Sequence, residues 1–254
     1  MFYSGYSCDK CGKAIEYRRE PKEWLPSKVY LVEYARKNGW SVGKKYYARI
    51  AERSFERSGG RRGMKQEEIM QVFRDYFSYI NRPGAANLLQ WMDANGFFEA
   101  PASKRHHGAN PGGLAEHSIN VCQRLIQMNA EEERRQQSLN YDLETLAVCG
   151  LLHDLCKIDA YRLTEGQQEK PEYQLTKNFP AGHGEKSVIL ILQFMHLTQE
   201  EILAIRWHMG QYDFYAKGGG YDLDNAFRQS KLAVMLHIAD MMATHFDERE
   251  GKKE

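Results

Sequence analysis

Two side chains that often bind metals are adjacent in the apolar stretch Gly150–Ile158, which reads GLLHDLCKI. An ionised Asp154 would be costly to bury alone, whereas a divalent cation would neutralise its charge and account for the neighbouring imidazole of His153. We therefore interpret this pair as part of a metal site.

Further imidazoles and carboxylates lie in apolar, helix-like surroundings elsewhere in the chain. Taken singly, such a histidine or aspartate is more often hydrogen-bonded or partly exposed than a metal ligand. Taken together, on separate predicted segments, they are typical of a helical bundle that builds a metal site in its core. The candidate ligands are His117, His153, Asp154, His183, His208 and Asp240.

Apolar residues with helical spacing indicate the elements that carry these side chains. Asp142 is a predicted N-cap, and Thr198 with Glu201 forms a capping-box pattern. The polar segment 161–182 predicts an irregular loop or a short hairpin around Tyr173–Leu175. Because strands are scarce, we predict a mainly α fold, a helical bundle. Helices are predicted in the stretches 69–77, 88–97, 114–128, 142–158, 185–197, 198–209 and 231–246.

The first 63 residues differ in composition from the rest and are predicted to form a small N-terminal appendage. They are rich in Tyr, Lys and Arg and end in the basic stretch SFERSGGRRG, which is typical of a linker. Residues 64–250 form the predicted main domain. The aromatic and basic residues of the appendage could form a nucleic-acid surface, although such residues more often make a small core.

Cys8 and Cys11 have the spacing of one knuckle of a zinc ribbon, but a tetrahedral site needs a second pair. Ala48 and Ala51 stand where that pair would be expected. We therefore interpret residues 1–63 as a degenerate, zinc-ribbon-like unit and favour a cysteine pair without metal.

The overall charge is nearly balanced, with 35 Lys and Arg against 34 Asp and Glu. Such a balance provides no general field that would attract nucleic acid or a membrane. Cys122, Cys149 and Cys156 lie within apolar helical patterns, as expected for free thiols in a reducing compartment. No apolar run approaches the roughly 18 residues that span a bilayer. These features predict a cytoplasmic protein without a membrane partner, and they leave the oligomeric state open.

The order of the candidate ligands resembles that of the HD superfamily of metal-dependent phosphohydrolases. The stretches KRHHGANPGGLAEHS, LLHDLCK, GHGEKS and LHIAD are similar to the HD domain of YhaM-type 3′-to-5′ exoribonucleases, and to HD-domain proteins of bacteria and their phages. The resemblance covers residues 84–246. Two features depart from the YhaM type: Trp207 precedes His208, and residues 1–63 do not contain an oligonucleotide-binding domain.

This resemblance implies two divalent ions that share one aspartate. Ligands without thiolate suit Mn, Fe, Co, Ni or Mg, and Zn also remains open. By the resemblance, the first ion is held by His117, His153, Asp154 and Asp240, and the second by Asp154, His183 and His208.

The implied reaction is hydrolysis of a phosphoester by a metal-activated water. The predicted substrate is a phosphorylated small molecule or short nucleic acid, which makes the chain a phosphodiesterase or nucleotidase acting on a nucleotide or short oligonucleotide. Asp154 and Lys157 are the predicted catalytic residues, since Lys157 lies nearly one helical turn after Asp154 and could reach a phosphate oxygen. His107 is a hypothetical proton donor, and Lys186 and Arg206 are left without a role.

Two other functions remain compatible with the sequence. Some HD-fold proteins that resemble myo-inositol oxygenase hold a di-iron centre and activate oxygen. Alternatively, the chain could be a non-catalytic nucleic-acid-binding or regulatory module with a vestigial metal site.

Overall fold

Helices dominate the computed structural model, which describes residues 65–105, 108–135, 141–163, 173–176 and 179–248. The mainly helical fold predicted from the sequence is confirmed. The predicted appendage, with Cys8 and Cys11, lies outside the described residues, as does the predicted boundary after residue 63. The α-helices are α1 Gln66–Phe77, α2 Ala85–Ala94, α3 Gly113–Arg134, α4 Leu143–Leu152, α5 His183–Leu192, α6 Gln199–Trp207, α7 Phe214–Lys217, α8 Asp222–Gln229 and α9 Lys231–Met242.

Shorter elements connect these helices. Strands β1, Tyr161–Leu163, and β2, Tyr173–Leu175, pair antiparallel with Tyr161 opposite Leu175, so the hairpin alternative for segment 161–182 is confirmed. The 3₁₀-helices are Leu155–Asp159 and Gly210–Tyr212, and a π-helical turn spans Ala243–Asp247.

Side-chain caps fix where several helices begin. The Asp142 carboxylate accepts a hydrogen bond from the Thr145 amide at 2.8 Å, as its predicted N-cap role requires. Thr198 and Glu201 form the predicted capping box of α6. Ser230 caps α9 by accepting from the Ala233 amide at 3.0 Å. These caps satisfy backbone amides that have no partner within the helix.

Helix α4 lies at the centre of the bundle and packs against α3, α1 and α6, while α9 packs against α3 and α6. Every residue from Leu146 to Leu152 is buried. A helix that is apolar on all sides needs neighbours on all sides. The side chains that follow its last turn therefore begin in the middle of the helical bundle.

The structure corrects the prediction of one continuous helix over 142–158. Helix α4 ends at Leu152, and Leu155–Asp159 continues as a 3₁₀-helix with a bond from the Lys157 amide to the Asp154 carbonyl at 2.9 Å. An apolar pattern with three-residue spacing fits both helix types, so periodicity could not separate them.

The region 211–225, where the apolar spacing predicts no helix, contains α7 and the start of α8. Helix α8 buries only Leu223 and Ala226, which is too short an apolar stripe to stand out in the sequence. No helix of the described residues is long and apolar enough to cross a membrane.

Candidate metal centre

The ends of three helices and the interiors of two others deliver the predicted ligands to one place. His153 and Asp154 directly follow α4, His183 is the first residue of α5, and His208 directly follows α6. The other two predicted ligands lie within helices: His117 in α3 and Asp240 in α9.

Two close helix contacts depend on glycine. A Cβ added to Gly150 would lie 2.5 Å from the Cα of Cys122, so α4 can approach α3 only without a side chain there. A Cβ added to Gly184 would lie 2.1 Å from the carbonyl oxygen of Arg206, which has the same consequence for α5 and α6. The first contact brings His117 close to His153, and the second brings His183 close to His208.

The predicted ligands form three overlapping groups, within each of which the candidate ligand atoms lie no more than 4.8 Å apart. The structure therefore gathers all six side chains into one cluster, called here the His/Asp cluster. Its groups are His117, His153 and Asp154; His153, His208 and Asp240; and Asp154, His183 and His208.

Asp154 lies between the two sides of this cluster. Its Oδ1 is 2.8 Å from the Nε2 of His183 and 3.4 Å from the Nε2 of His208. Its Oδ2 is 3.4 Å from the Nε2 of His153 and 3.6 Å from the Nε2 of His117. The two oxygens of one carboxylate thus face different histidine pairs.

Most of the cluster is buried, but one side is open. His117, His153, Asp154 and His208 are each at most 2 % exposed. The side chain of Asp240 is 16 % exposed and that of His183 is 32 % exposed. A ligand from solvent would therefore reach the cluster past Asp240 and His183.

Hydrogen bonds orient two imidazoles toward the centre of the cluster. The Nδ1–H of His153 donates to the Gly150 carbonyl at 3.0 Å, and that of His208 donates to the Ile205 carbonyl at 2.7 Å. Because a carbonyl can only accept, each Nδ1 carries the proton and, in the neutral ring, each Nε2 presents a lone pair. This is the arrangement in which histidine binds a metal.

One of these lone pairs has no partner in the part of the chain that the structure describes, and another lies close to a second ring nitrogen. The Nε2 of His208 is buried and has no hydrogen-bond partner among the described residues. The Nε2 atoms of His153 and His117 lie 3.3 Å apart, where two lone pairs would repel unless a proton or a cation lay between them. A buried polar atom without a partner costs about 1–3 kcal/mol. The donor set therefore fits a divalent metal.

The charge balance of the cluster favours positive groups. Burial lowers the pKa of His117, but the carboxylates of Glu248 and Asp240 outweigh it and raise the pKa to about 10. Burial also lowers the pKa of His183, while Cys156 and Asp154 raise it to about 10. Without a metal, these neighbouring acidic groups hold protons on the two imidazoles, and a bound cation would supply the same positive charge.

The two aspartates are ionised despite their burial. Burial opposes the charge of Asp154, yet Lys157 and the nearby imidazoles hold its pKa well below the usual range. The pKa of Asp240 is likewise lowered against burial, chiefly by His117. His153 behaves differently, since burial lowers its pKa and keeps it neutral. Both carboxylates are therefore available as anionic ligands.

Lys157 lies inside the cluster as well. Its Nζ is 2.6 Å from the Oδ2 of Asp154, and the residue is only 9 % exposed. Burial lowers the pKa of Lys157, but Asp154 more than compensates, so the pKa is raised. The ammonium is thus charged and adjacent to the carboxylate that both histidine pairs face.

The other basic residues considered from the sequence are engaged elsewhere. Lys186 pairs with Asp159, and Arg206 pairs with Asp213 at 3.0 Å and with Glu185. His107 lies outside the described residues, so its role as a proton donor stays a prediction.

Two residues that contact the cluster were not identified as such from the sequence. Glu248 accepts a hydrogen bond from the Nδ1 of His117, and no motif surrounds it in the sequence. The Nδ1–H of His237 donates to the carbonyl of His208 at 2.7 Å. The one available signal was spacing, since His237 lies three residues before Asp240.

Comparison with known proteins bears on the family. The HD domain family matches residues 114–248, a segment that contains every member of the His/Asp cluster and covers more than half of the chain. No curated protein and no solved structure matches the chain. The narrower resemblance to YhaM-type exoribonucleases thus stays a prediction. The extent of the match shows that the chain belongs to the HD domain family.

Proposed function

We propose that the chain is a metal-dependent phosphohydrolase that cleaves a phosphoester of a nucleotide or short oligonucleotide. The observation that carries the proposal is the position of Asp154, whose two oxygens face different histidine pairs within one buried cluster. A carboxylate in that position could act as a ligand to each of two divalent ions, which would stabilise the attacking and leaving oxygens of a phosphoryl displacement.

The proposed ligands divide between two ions as follows. As the family resemblance implies, His117, His153, Asp154 and Asp240 would hold the first, and Asp154, His183 and His208 the second. The second set is one of the three groups of close ligand atoms, and Asp240 joins the first set through its Oδ1, 3.3 Å from the Nε2 of His117. Divalent ions at such a site supply a water of lowered pKa and neutralise charge on phosphate oxygens. Imidazole and carboxylate donors are compatible with Mn, Fe, Co, Ni, Mg and Zn.

The open side of the cluster determines how a substrate would approach. Asp240 and His183 are its most exposed members, so a phosphate group would enter beside them, while buried His153 and His208 exclude water from the far side. Exclusion of water strengthens the electrostatic interactions between the protein and the charge that develops on the phosphate.

Lys157 has the chemistry needed to bind that phosphate. Its ammonium lies against Asp154 and is charged, so it can donate to a phosphate oxygen while the carboxylate engages a cation instead. The lysine would then neutralise the charge that develops on the phosphate in the transition state.

The first experiment is elemental analysis of the purified protein, followed by assays of that metal form against nucleoside monophosphates, cyclic dinucleotides, short RNA and short DNA. We expect bound divalent metal and metal-dependent release of a nucleotide or phosphate from one of these classes. Asp154→Asn should abolish turnover, whereas the matched control Asp93→Asn, on an exposed side chain paired with Arg74, should not change it.

Other outcomes of the same experiment would contradict the proposal. Stoichiometric iron with oxygen consumption and no phosphoester cleavage would favour an HD-fold oxygenase. Absence of bound divalent metal, together with tight oligonucleotide binding, would favour a non-catalytic module. Cleavage that survives Asp154→Asn would show that the His/Asp cluster is not responsible for it.

A further inference from the structure

Glu248 contacts the His/Asp cluster from a position directly after the π-helical turn that follows α9. Its carboxylate oxygens lie 2.9 and 3.1 Å from the Nδ1 of His117, and its side chain is only 8 % exposed. It lies eight residues after Asp240 and belongs to none of the candidate metal-ligand groups. Its contact is with the ring nitrogen of His117 that faces away from the cluster.

We propose that Glu248 is the positioning residue that fixes His117 for metal binding, an inference that rests on the proposed metal-dependent function. The Nδ1–H of His117 donates to the carboxylate, which leaves the Nε2 directed at the cluster, 3.3 Å from the Oδ1 of Asp240. A carboxylate in this position also makes the imidazole a stronger metal donor.

The π-helical turn Ala243–Asp247 delivers Glu248 to this position. The turn closes with a hydrogen bond from the Glu248 amide to the Ala243 carbonyl at 3.1 Å, an i to i+5 contact. Such turns are rare and occur frequently at functional sites. Helix α9 thus contributes Asp240 directly, and its altered last turn contributes the residue that orients His117.

Two residues of α3 hold the turn in place. The Asn120 side-chain amide donates to the Oε1 of Glu248 at 3.0 Å, and the Nε of Arg124 donates to the Oδ2 of Asp247 at 2.8 Å. Asn120 and Arg124 lie three and seven residues after His117, so all three project from one face of the helix. The face of α3 that carries the ligand therefore also anchors the residue that orients it.

Burial and anchoring distinguish this contact from a chance surface pair. Exposed ion pairs between long side chains contribute little, because their ends are free to move. The Glu248 carboxylate is instead nearly inaccessible, is held by Asn120, and faces a residue that is 1 % exposed. The pair can therefore fix both the ring orientation and the tautomer of His117.

The test measures metal affinity directly, independent of turnover. Chelator-stripped wild-type protein and variants would be titrated with Co²⁺ by calorimetry, and the visible absorption spectrum of bound Co²⁺ would be recorded. For Glu248→Ala we expect affinity to fall by about 10- to 100-fold, the usual effect of losing such a partner. We also expect a changed Co²⁺ spectrum, because His117 would be free to turn.

Two further variants make the result specific. Glu248→Gln keeps an oxygen that accepts from Nδ1–H but removes the negative charge, so its affinity should lie between those of wild type and Glu248→Ala. Glu131→Ala removes another glutamate near the end of α3 whose contacts are with Arg134 and Arg135, and it should leave affinity and spectrum unchanged.

The possible outcomes separate this inference from the proposed function. Wild-type affinity and spectrum in folded Glu248→Ala would overturn the role of Glu248 while leaving the metal site intact. If the alanine variant does not fold, the isosteric glutamine variant decides: a reduced affinity supports the role, and an unchanged affinity overturns it. Wild-type protein that binds no divalent ion would overturn the metal site and this inference together.

Discussion

Two buried carboxylates of this protein, Glu201 and Asp154, have different surroundings. Glu201 is inaccessible and receives two hydrogen bonds from the Arg82 guanidinium, at 2.9 and 3.0 Å. The Thr198 amide donates a third at 2.8 Å. A bidentate guanidinium contact matches the charge and geometry of a carboxylate, so the protein alone completes this site.

Asp154 has a charged partner too, but its surroundings remain incomplete. Lys157 pairs with one oxygen, while four imidazole nitrogens and the carboxylate of Asp240 belong to the same cluster. One of those nitrogens, the Nε2 of His208, has no hydrogen-bond partner in the described part of the chain. The comparison teaches that a buried carboxylate whose partners are all supplied by the protein can be structural, whereas Asp154 lies among imidazoles and a second carboxylate whose arrangement is consistent with metal binding.

The largest effect should come from Asp154→Asn. The amide cannot supply the negative charge that both histidine pairs face, so we expect metal binding to be lost and turnover to fall by roughly 10³-fold or more. Calorimetric titration with Co²⁺ and the turnover assay would check this. An Asp154→Asn variant that still binds metal and turns over substrate would remove the contrast with Glu201.

The corresponding change at the other carboxylate should act on stability instead. Glu201→Ala leaves the Arg82 guanidinium, whose side chain is only 16 % exposed, without its main partner, which should lower the free energy of unfolding by about 3 kcal/mol. Urea denaturation of the metal-free protein would measure it. Metal affinity in the folded variant should match wild type, and a large loss of affinity would show that the two sites are coupled.

Lys157→Ala separates substrate binding from metal binding. Loss of the ammonium should reduce turnover by about 10²-fold, as expected when one group that stabilises transition-state charge is removed. Metal affinity should not decrease, because Lys157 competes with the cation for Asp154. A weaker metal site in this variant would mean that the lysine supports the ligands instead of binding phosphate.

The smallest effect should be the stabilisation of the folded protein by metal. A divalent ion at 100 times its dissociation constant should add about 2.7 kcal/mol to the free energy of unfolding. Thermal unfolding with Co²⁺ and with chelator would show this as a raised midpoint. Glu201→Ala should show the same shift and Asp154→Asn none, and equal shifts in all three proteins would place the ion elsewhere.

Much of the fold could be predicted because its signals are local. Apolar spacing located α1, where Ile69, Phe73, Tyr76 and Phe77 are buried, and side-chain caps located the starts of α4 and α6. Apolar spacing did not predict the elements in two places where the local sequence fits more than one structure. The change from α-helix to 3₁₀-helix after Leu152 and the short helix α8 both depend on contacts with other elements.

The candidate site also has residues that the sequence identified and a residue that it did not. The residue types and the neighbouring apolar residues were sufficient to select His153 with Asp154, because a buried carboxylate requires a group that compensates its charge. Glu248 gave no such signal, since a glutamate in the charged stretch 247–254 reads as solvated surface. Its contact with His117 spans 131 positions of sequence.

The sequence by itself determined the family, the mainly helical fold and the residues able to bind a metal, because these depend on residue type and local spacing. Only the tertiary structure decided that the two oxygens of Asp154 face different histidine pairs, that the cluster opens beside His183 and that Glu248 reaches His117. Those features depend on how closely the helices pack and on the direction in which each one ends, and no local pattern of residues encodes either.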